Sequence, residues 1–158
     1  MTGFKLLSFN VRGLGNPKKR RMVLSSLKKQ DTDIVFLQET HSTKTNEKIW
    51  KSEWGSKFIY FSHGKSNARG ACIMFKNNVD FDVQKEIFDS SSRLVILKVT
   101  INGLKKVLIN VYAPNDVSEA VDFLKKLNDV MVVTLTVLST LYWIEVVAIC
   151  RRLQQKIL

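Results

Sequence analysis

The run Ile34-Val35-Phe36-Leu37 is apolar without a break, and the chain turns polar at once after it, in Gln38-Glu39-Thr40-His41. A short continuous apolar run predicts a strand buried on both faces, because apolar/polar alternation is lost only when neither face meets water. Such a strand needs a covering layer on each side, and that requirement constrains the fold more than any other stretch. It also puts the Glu39 carboxylate at the C-terminal end of a central strand, where a rigid scaffold meets open loops and catalytic groups collect. Taken alone, Glu39 reads more readily as a solvated loop residue. Its company changes that reading: Ser8-Phe9-Asn10-Val11-Arg12-Gly13-Leu14 upstream and Asn110-Val111-Tyr112-Ala113-Pro114-Asn115 downstream.

Around this stretch the chain alternates between element types. Lys5 to Val11 is rich in β formers and predicts a first strand. In the turn that follows, Asn16 is placed to cap a helix and Pro17 to open it. That helix runs to about Gln30, with Met22, Val23, Leu24 and Leu27 on its buried side and Lys18, Lys19, Arg20, Arg21, Lys28 and Lys29 outside. Strand, helix, strand in this order predicts a layered α/β arrangement. A helical segment carrying Ile49, Trp50 and Trp54 comes next. Strands are then predicted over 58–61, 71–75, 79–88, 94–101 and 104–112, the last two joined by the hairpin signal Asn102-Gly103. This strand-rich middle favours α+β with antiparallel pairing over a doubly wound parallel sheet. Asp116-Val117-Ser118-Glu119 has capping-box spacing, with Asp in place of Ser or Thr, and opens a helix to about Asp129.

Charge is unevenly spread. The chain of 158 residues carries a net +11, and residues 1–70, with 14 basic and 5 acidic side chains, hold +9 of it. The half that contains Glu39 therefore favours a polyanionic partner, most simply nucleic acid, with a solubilising surface as the bland alternative. Cys72 and Cys150 lie far apart, each without a Cys or His neighbour, which excludes a zinc reading and suggests reduced thiols. No signal peptide is read ahead of the first strand, so a nuclear or cytoplasmic protein is expected, not a secreted one.

Composition shifts sharply near residue 130. Residues 131–158 contain no Gly, Pro, Asp, Asn or His. The run 130–150 is about the length of a membrane-crossing helix, though Glu145 interrupts it. The sequence thus divides into 1–129 and an apolar tail, 130–158, that reads like a frame change, a read-through or an unrelated exon.

Three blocks, Ser8 to Leu14, Phe36-Leu37-Gln38-Glu39-Thr40-His41 and Asn110 to Asn115, together with Arg69-Gly70-Ala71, carry a resemblance. In order and spacing, the chain resembles the endonuclease/exonuclease/phosphatase superfamily, within it the apurinic, exonuclease III-like endonuclease domain of LINE-type (non-LTR) retrotransposons. The resemblance implies the first half of a DNase I-like four-layer α/β sandwich, with DNA as partner and Mg²⁺, or alternatively Mn²⁺, as cofactor. It implies that Glu39 and Asn10 serve the metal. It also implies that the Tyr112 hydroxyl contacts the scissile phosphate and that Asn115 reaches the same phosphate. A hard dication accepts one or two carboxylates and keeps several waters, which suits a lone Glu39. Read without the resemblance, Asn10 is a strand-end cap, Tyr112 a half-buried sheet aromatic and Asn115 a turn residue beside Pro114. His41 and His63 match no family position and read as loop or surface histidines.

The family pattern also calls for a Gly-Asp-Phe-Asn block and a terminal Ser-Asp-His block, and neither is here. Loss of a base or an orienting charge costs about 10² to 10⁴ in rate per group. The expectation is therefore a Mg²⁺-dependent DNA phosphodiester hydrolase by ancestry, inactive or weak as it stands. A non-catalytic nucleic-acid-binding remnant and a membrane-tethered fragment are the alternatives.

Overall fold

The computed structural model describes residues 4–136 and 143–149. The order is β1 (Leu6–Asn10), α1 (Pro17–Lys29), β2 (Ile34–Gln38), a 3₁₀ turn (Lys44–Asn46), α2 (Glu47–Trp54), β3 (Ile59–Ser62), β4 (Ala71–Phe75), β5 (Phe81–Phe88), β6 (Leu94–Ile101), β7 (Leu104–Tyr112), α3 (Val117–Thr136) and β8 (Trp143–Ile149). Two four-stranded sheets result, ordered β1-β2-β4-β3 and β5-β6-β7-β8. Pairing is mixed: β1–β2 and β7–β8 are parallel and the other neighbours antiparallel.

The apolar run is the hinge of this architecture. Every residue of β2 is buried, and its side chains alternate between two cores. Val35 and Leu37 pack with Leu24 and Leu27 of α1 and Trp50 and Trp54 of α2. Ile34 and Phe36 face the second sheet and meet Val95, Leu97 and Leu108. The far face of that second sheet, with Ile96, Val107 and Ile109, is covered by Phe123, Leu127 and Val130 of α3. The layers are therefore helices, sheet, sheet, helix, an α+β sandwich of four layers.

Helix α1 opens as its sequence predicts: Asn16 Oδ1 accepts from the amides of Lys18 and Lys19, at 2.9 and 3.1 Å, and Pro17 follows. Its buried face differs from expectation. Arg20, not Met22, faces inward, with exposures of 4% and 65%. Arg20, Leu24 and Leu27 share one helical stripe at i, i+4, i+7, and the guanidinium finds Glu53 of α2 there. The Asn102-Gly103 turn has φ of 48° and 77°, the left-handed pair that a tight hairpin needs.

Helix α3 continues past Asp129 to Thr136, because Val130 and Met131 extend the stripe of Phe123 and Leu127 onto the sheet. Residues 143–149 form β8, with Leu108 opposite Glu145 and Tyr112 opposite Ile149. The described parts of the apolar run 130–150 are thus a helix end and a strand. Among the described residues no helix is long and apolar enough to cross a membrane. Cys72 is free and fully buried, and burial raises its thiol pKa. Cys150 lies outside the described residues.

Candidate active site

Parallel pairing of β1 and β2 places Asn10 opposite Gln38, so both strands end at the same rim. The chain then stays paired while it bends: Gly13 N donates to Glu39 O at 2.7 Å and Leu14 N to Thr40 O at 3.0 Å. A third loop joins, with Thr40 N to Gly70 O at 3.1 Å and His41 N to Arg69 O at 2.9 Å. Arg12, Glu39, His41 and Arg69 all have positive φ, between 48° and 63°. Non-glycine residues adopt that region at a cost, and such residues cluster where a site has to be held in shape. Gly13, at φ 80°, is required on two counts, since a Cβ there would sit 2.5 Å from His41 Nδ1.

At this rim Glu39 is 4% exposed. Its Oε1 accepts from Asn10 Nδ2 at 3.1 Å and from the Tyr112 hydroxyl at 2.9 Å. Asn10 Oδ1 in turn accepts from Arg12 N at 3.0 Å, which fixes the amide so that its donor faces Glu39. Three of the four residues singled out in the sequence therefore meet, although Glu39 and Tyr112 are separated by 73 positions and lie in different sheets. Asn115 does not join them. It is exposed in the loop after β7, with no hydrogen bond to the other three.

Beneath this cluster lies a layer to which the sequence motifs assign no role. Asn110 Oδ1 accepts from Gln38 Nε2 at 2.7 Å, and Asn110 Nδ2 donates to Leu37 O at 2.9 Å and Cys72 O at 2.8 Å. Gln38 Nε2 also donates to Ser8 Oγ at 3.1 Å. Behind Tyr112, the Arg93 guanidinium lies 5.0 Å from the ring centre and donates to Tyr112 O at 3.3 Å. Gln38 and Asn110 stand inside the sequence blocks already quoted, and amides within apolar strands are the signal that marks them. Arg93 has no such signal, because its partner is a ring 19 positions away.

Cationic groups surround the rim. Lys19 Nζ donates to the carbonyls of Val11, Arg12 and Gly13 at 2.8–2.9 Å, which ties the bent loop to α1. Arg12 and Arg69 are exposed. His41 has a lowered pKa, chiefly from burial, with Glu39 opposing and Lys19 adding to the shift. His63 lies in the loop after β3, as expected, but is half-buried there: it stacks on Phe61 at 4.8 Å and lies 3.2 Å from both Ser42 Oγ and Glu47 Oε2.

Among the described residues no group of three or more His, Cys, Asp or Glu side chains is placed to share a metal ion. The donors at the rim are one buried carboxylate, Glu39, and the Asn10 amide oxygen, which already accepts from Arg12 N at 3.0 Å. Oxygen donors alone, with a single carboxylate, fit a hard dication that keeps most of its shell as water, and they do not suit zinc.

Two facing sheets with helices outside, and a carboxylate, an amide and a phenol bonded at one rim, define a DNase I-like sandwich. A family model described as Endonuclease/Exonuclease/phosphatase family matches residues 7–144. A Xenopus laevis protein described as "Transposon TX1 uncharacterized 149 kDa protein" is 32% identical over 124 residues, covering 78% of this chain and 9% of that protein. Among solved structures, humanized D. rerio TDP2 is similar at a TM-score of 0.65 and 19% identity, covering 92% of this chain and 61% of its own. The AP endonuclease of Leishmania major is similar at 0.55 and 17% identity, with coverage of 71% and 40%. The chain belongs to the endonuclease/exonuclease/phosphatase family and spans less than two thirds of the length of these relatives.

Proposed function

We propose that this chain is a retroelement-derived piece of a Mg²⁺-dependent DNA endonuclease of the apurinic, exonuclease III-like kind, inactive or weak by itself. The observation that carries the reading is the Asn10–Glu39–Tyr112 cluster, whose two hydrogen bonds join at one carboxylate oxygen. Family membership and the similarity to a transposon-encoded protein support the ancestry.

Glu39 and Asn10 would hold Mg²⁺, with Mn²⁺ as the substitute. The ion, when bound, supplies a positive charge that polarises a phosphoryl oxygen and offsets charge on the leaving oxygen. The chain's own groups do the rest. Asn10 donates to Glu39 and so orients the carboxylate. Tyr112 presents a hydroxyl donor at the same point, within reach of a phosphate held there. Asn115, on the exposed loop two residues beyond Ala113, offers an amide donor to that phosphate. Arg12 and Arg69 place cationic side chains at the rim for flanking phosphates. What the motifs lack is a group to take a proton from the attacking water. The Gly-Asp-Phe-Asn and Ser-Asp-His blocks that serve this in the family are absent. His41 lies beside Gly13, but its Nδ1 is packed against that glycine.

The test is nicking of supercoiled plasmid with and without Mg²⁺, comparing the natural chain with Glu39→Ala. The expected outcome is no nicking that depends on both Mg²⁺ and Glu39, because each missing group costs about 10² to 10⁴ in rate. Nicking that needs both would overturn the inactive half of the proposal and establish the hydrolase half. A second reading, a nucleic-acid-binding module without chemistry, is favoured by the +9 carried on residues 1–70.

A further inference from the structure

We infer that Gln38 and Asn110 form an amide clamp between the two sheets that holds the Tyr112 hydroxyl on Glu39; they are positioning residues, and the use of the pair they position rests on the hydrolase reading above. Gln38 is the last residue of β2 and immediately precedes Glu39. Asn110 precedes Tyr112 by two on β7 and so shares its face. The Gln38–Asn110 bond and the Tyr112–Glu39 bond are thus neighbouring links between the C-terminal end of β2 and β7, one strand from each sheet.

Apart from bonds at the loop ends, Ser62 Oγ to Asp89 Oδ1 at 3.2 Å and Gly70 N to Ser92 O at 3.0 Å, the interlayer around the clamp is apolar. Ile34, Phe36, Val95, Leu97 and Leu108 are fully buried apolar groups, and apolar contact is non-directional. Two sheets joined only by such contacts can shift against each other with small loss. A shift of about 1 Å would break a 2.9 Å hydrogen bond between the sheets, since such bonds fail well before 3.6 Å. Asn110 prevents the shift with three bonds of 2.7–2.9 Å reaching β2 and β4 together, in a dry layer where polar bonds are strong and their loss is severe. Gln38 adds Ser8, so β1 is tied to the same point.

The clamp also carries a cost that simple packing would avoid. Gln38 is 0% exposed, yet its Oε1 has no hydrogen-bond partner among the described residues. An aliphatic side chain would fill that volume without stranding an acceptor. The amide is therefore explained by its direction rather than its bulk.

A double-mutant cycle in urea unfolding of the full chain tests this. Glu39→Ala and Tyr112→Phe, singly and together, measure the coupling between the two site residues, and no metal or DNA enters. Neighbouring residues in one network couple at roughly tenfold in the unfolding constant, and that is the expected value in the natural background. In Asn110→Leu, and separately in Gln38→Met, the coupling should fall below about twofold. Val95→Ala is the control: it loosens the same interlayer and lowers stability, yet should leave the coupling near tenfold. The proposal is overturned by coupling that survives Asn110→Leu, by coupling lost equally in Val95→Ala, or by its absence from the natural chain. If Asn110→Leu does not fold, Gln38→Met, which keeps Asn110, decides by the same criterion. A silent nicking assay does not touch this result, and a failed cycle leaves the hydrolase reading to its own test.

Discussion

Single side chains in this fold are placed by near and distant partners together, and Glu47 is a measurable case, with two partners within a helical turn and one 16 positions away. It receives Lys51 at 2.5 Å, Lys44 at 2.7 Å and His63 at 3.2 Å. The Lys44 and Lys51 bonds hold its pKa at about 2, below an ordinary 4.5. A depressed carboxylate pKa contributes stability above its unfolded value, and this is lost as pH falls through the folded one. Stability should therefore drop between pH 4.5 and about 2. Lys44 is exposed and Lys51 partly solvated, so screening keeps the effect to about 1 kcal/mol or less. Urea unfolding of Glu47→Gln across that window should show a flatter pH dependence than the natural chain; identical curves would refute the assignment. The same scale explains what sequence reading reaches. Glu39, Asn10 and Tyr112 stand at motif positions, and the fold brings them together. That Asn115 is exposed and makes no hydrogen bond to these three depends on the path of the loop at 113–116, which no motif specifies. The burial of Arg20 depends on a carboxylate 33 positions away.

At the scale of elements, local chemistry predicts ends well and faces less well. Asn16 and Pro17 open α1, Asp116 Oδ1 accepts from the amides of Ser118 and Glu119 to open α3, and Asn102-Gly103 turns the hairpin. Each is a short-range device readable in a few residues. The faces fail where an ion pair replaces an apolar contact. Arg20 joins α1 to α2 with Nε to Glu53 at 2.6 Å, Nη2 to Glu53 at 3.2 Å and Nη1 to Leu14 O at 3.2 Å. Removing one partner of a buried pair leaves the other charge uncompensated, at a cost of about 3–5 kcal/mol. Glu53→Ala should therefore destabilise by about 3 kcal/mol in urea unfolding, while Arg20→Leu with Glu53→Leu together should lose less than Glu53→Ala alone. A single mutant no worse than the double would show that the pair is not buried in solution. The extension of α3 and the strand β8 were hidden for another reason: an unbroken apolar run has no period to separate helix from strand, so only packing against β7 decides.

For the molecule as a whole, the question is where its positive field lies relative to the rim. Helix α1 starts beside the rim at Pro17 and runs 13 residues away from it, about 20 Å, to Lys29. Arg12 and Arg69 are exposed at the rim; Lys28 and Lys29 are exposed at the far end. Both pairs contribute equally to the net +11, so net charge alone would make them interchangeable. The nucleic-acid reading does not. A duplex laid across the rim, contacting about four phosphates, loses about 10² in affinity between 50 and 200 mM salt, since each contact adds roughly −0.9 to the slope. Arg12→Ala with Arg69→Ala should flatten that slope by about two contacts, whereas Lys28→Ala with Lys29→Ala should leave it nearly unchanged. Fluorescence anisotropy on a labelled duplex measures both. Equal effects from the two pairs would mean that the chain attracts DNA only as a diffuse cation. A rim-specific effect in a chain that cannot nick would mean that the surface for substrate outlasts the groups that cut it, because binding draws on several spread-out charges while hydrolysis needs every member of one small cluster.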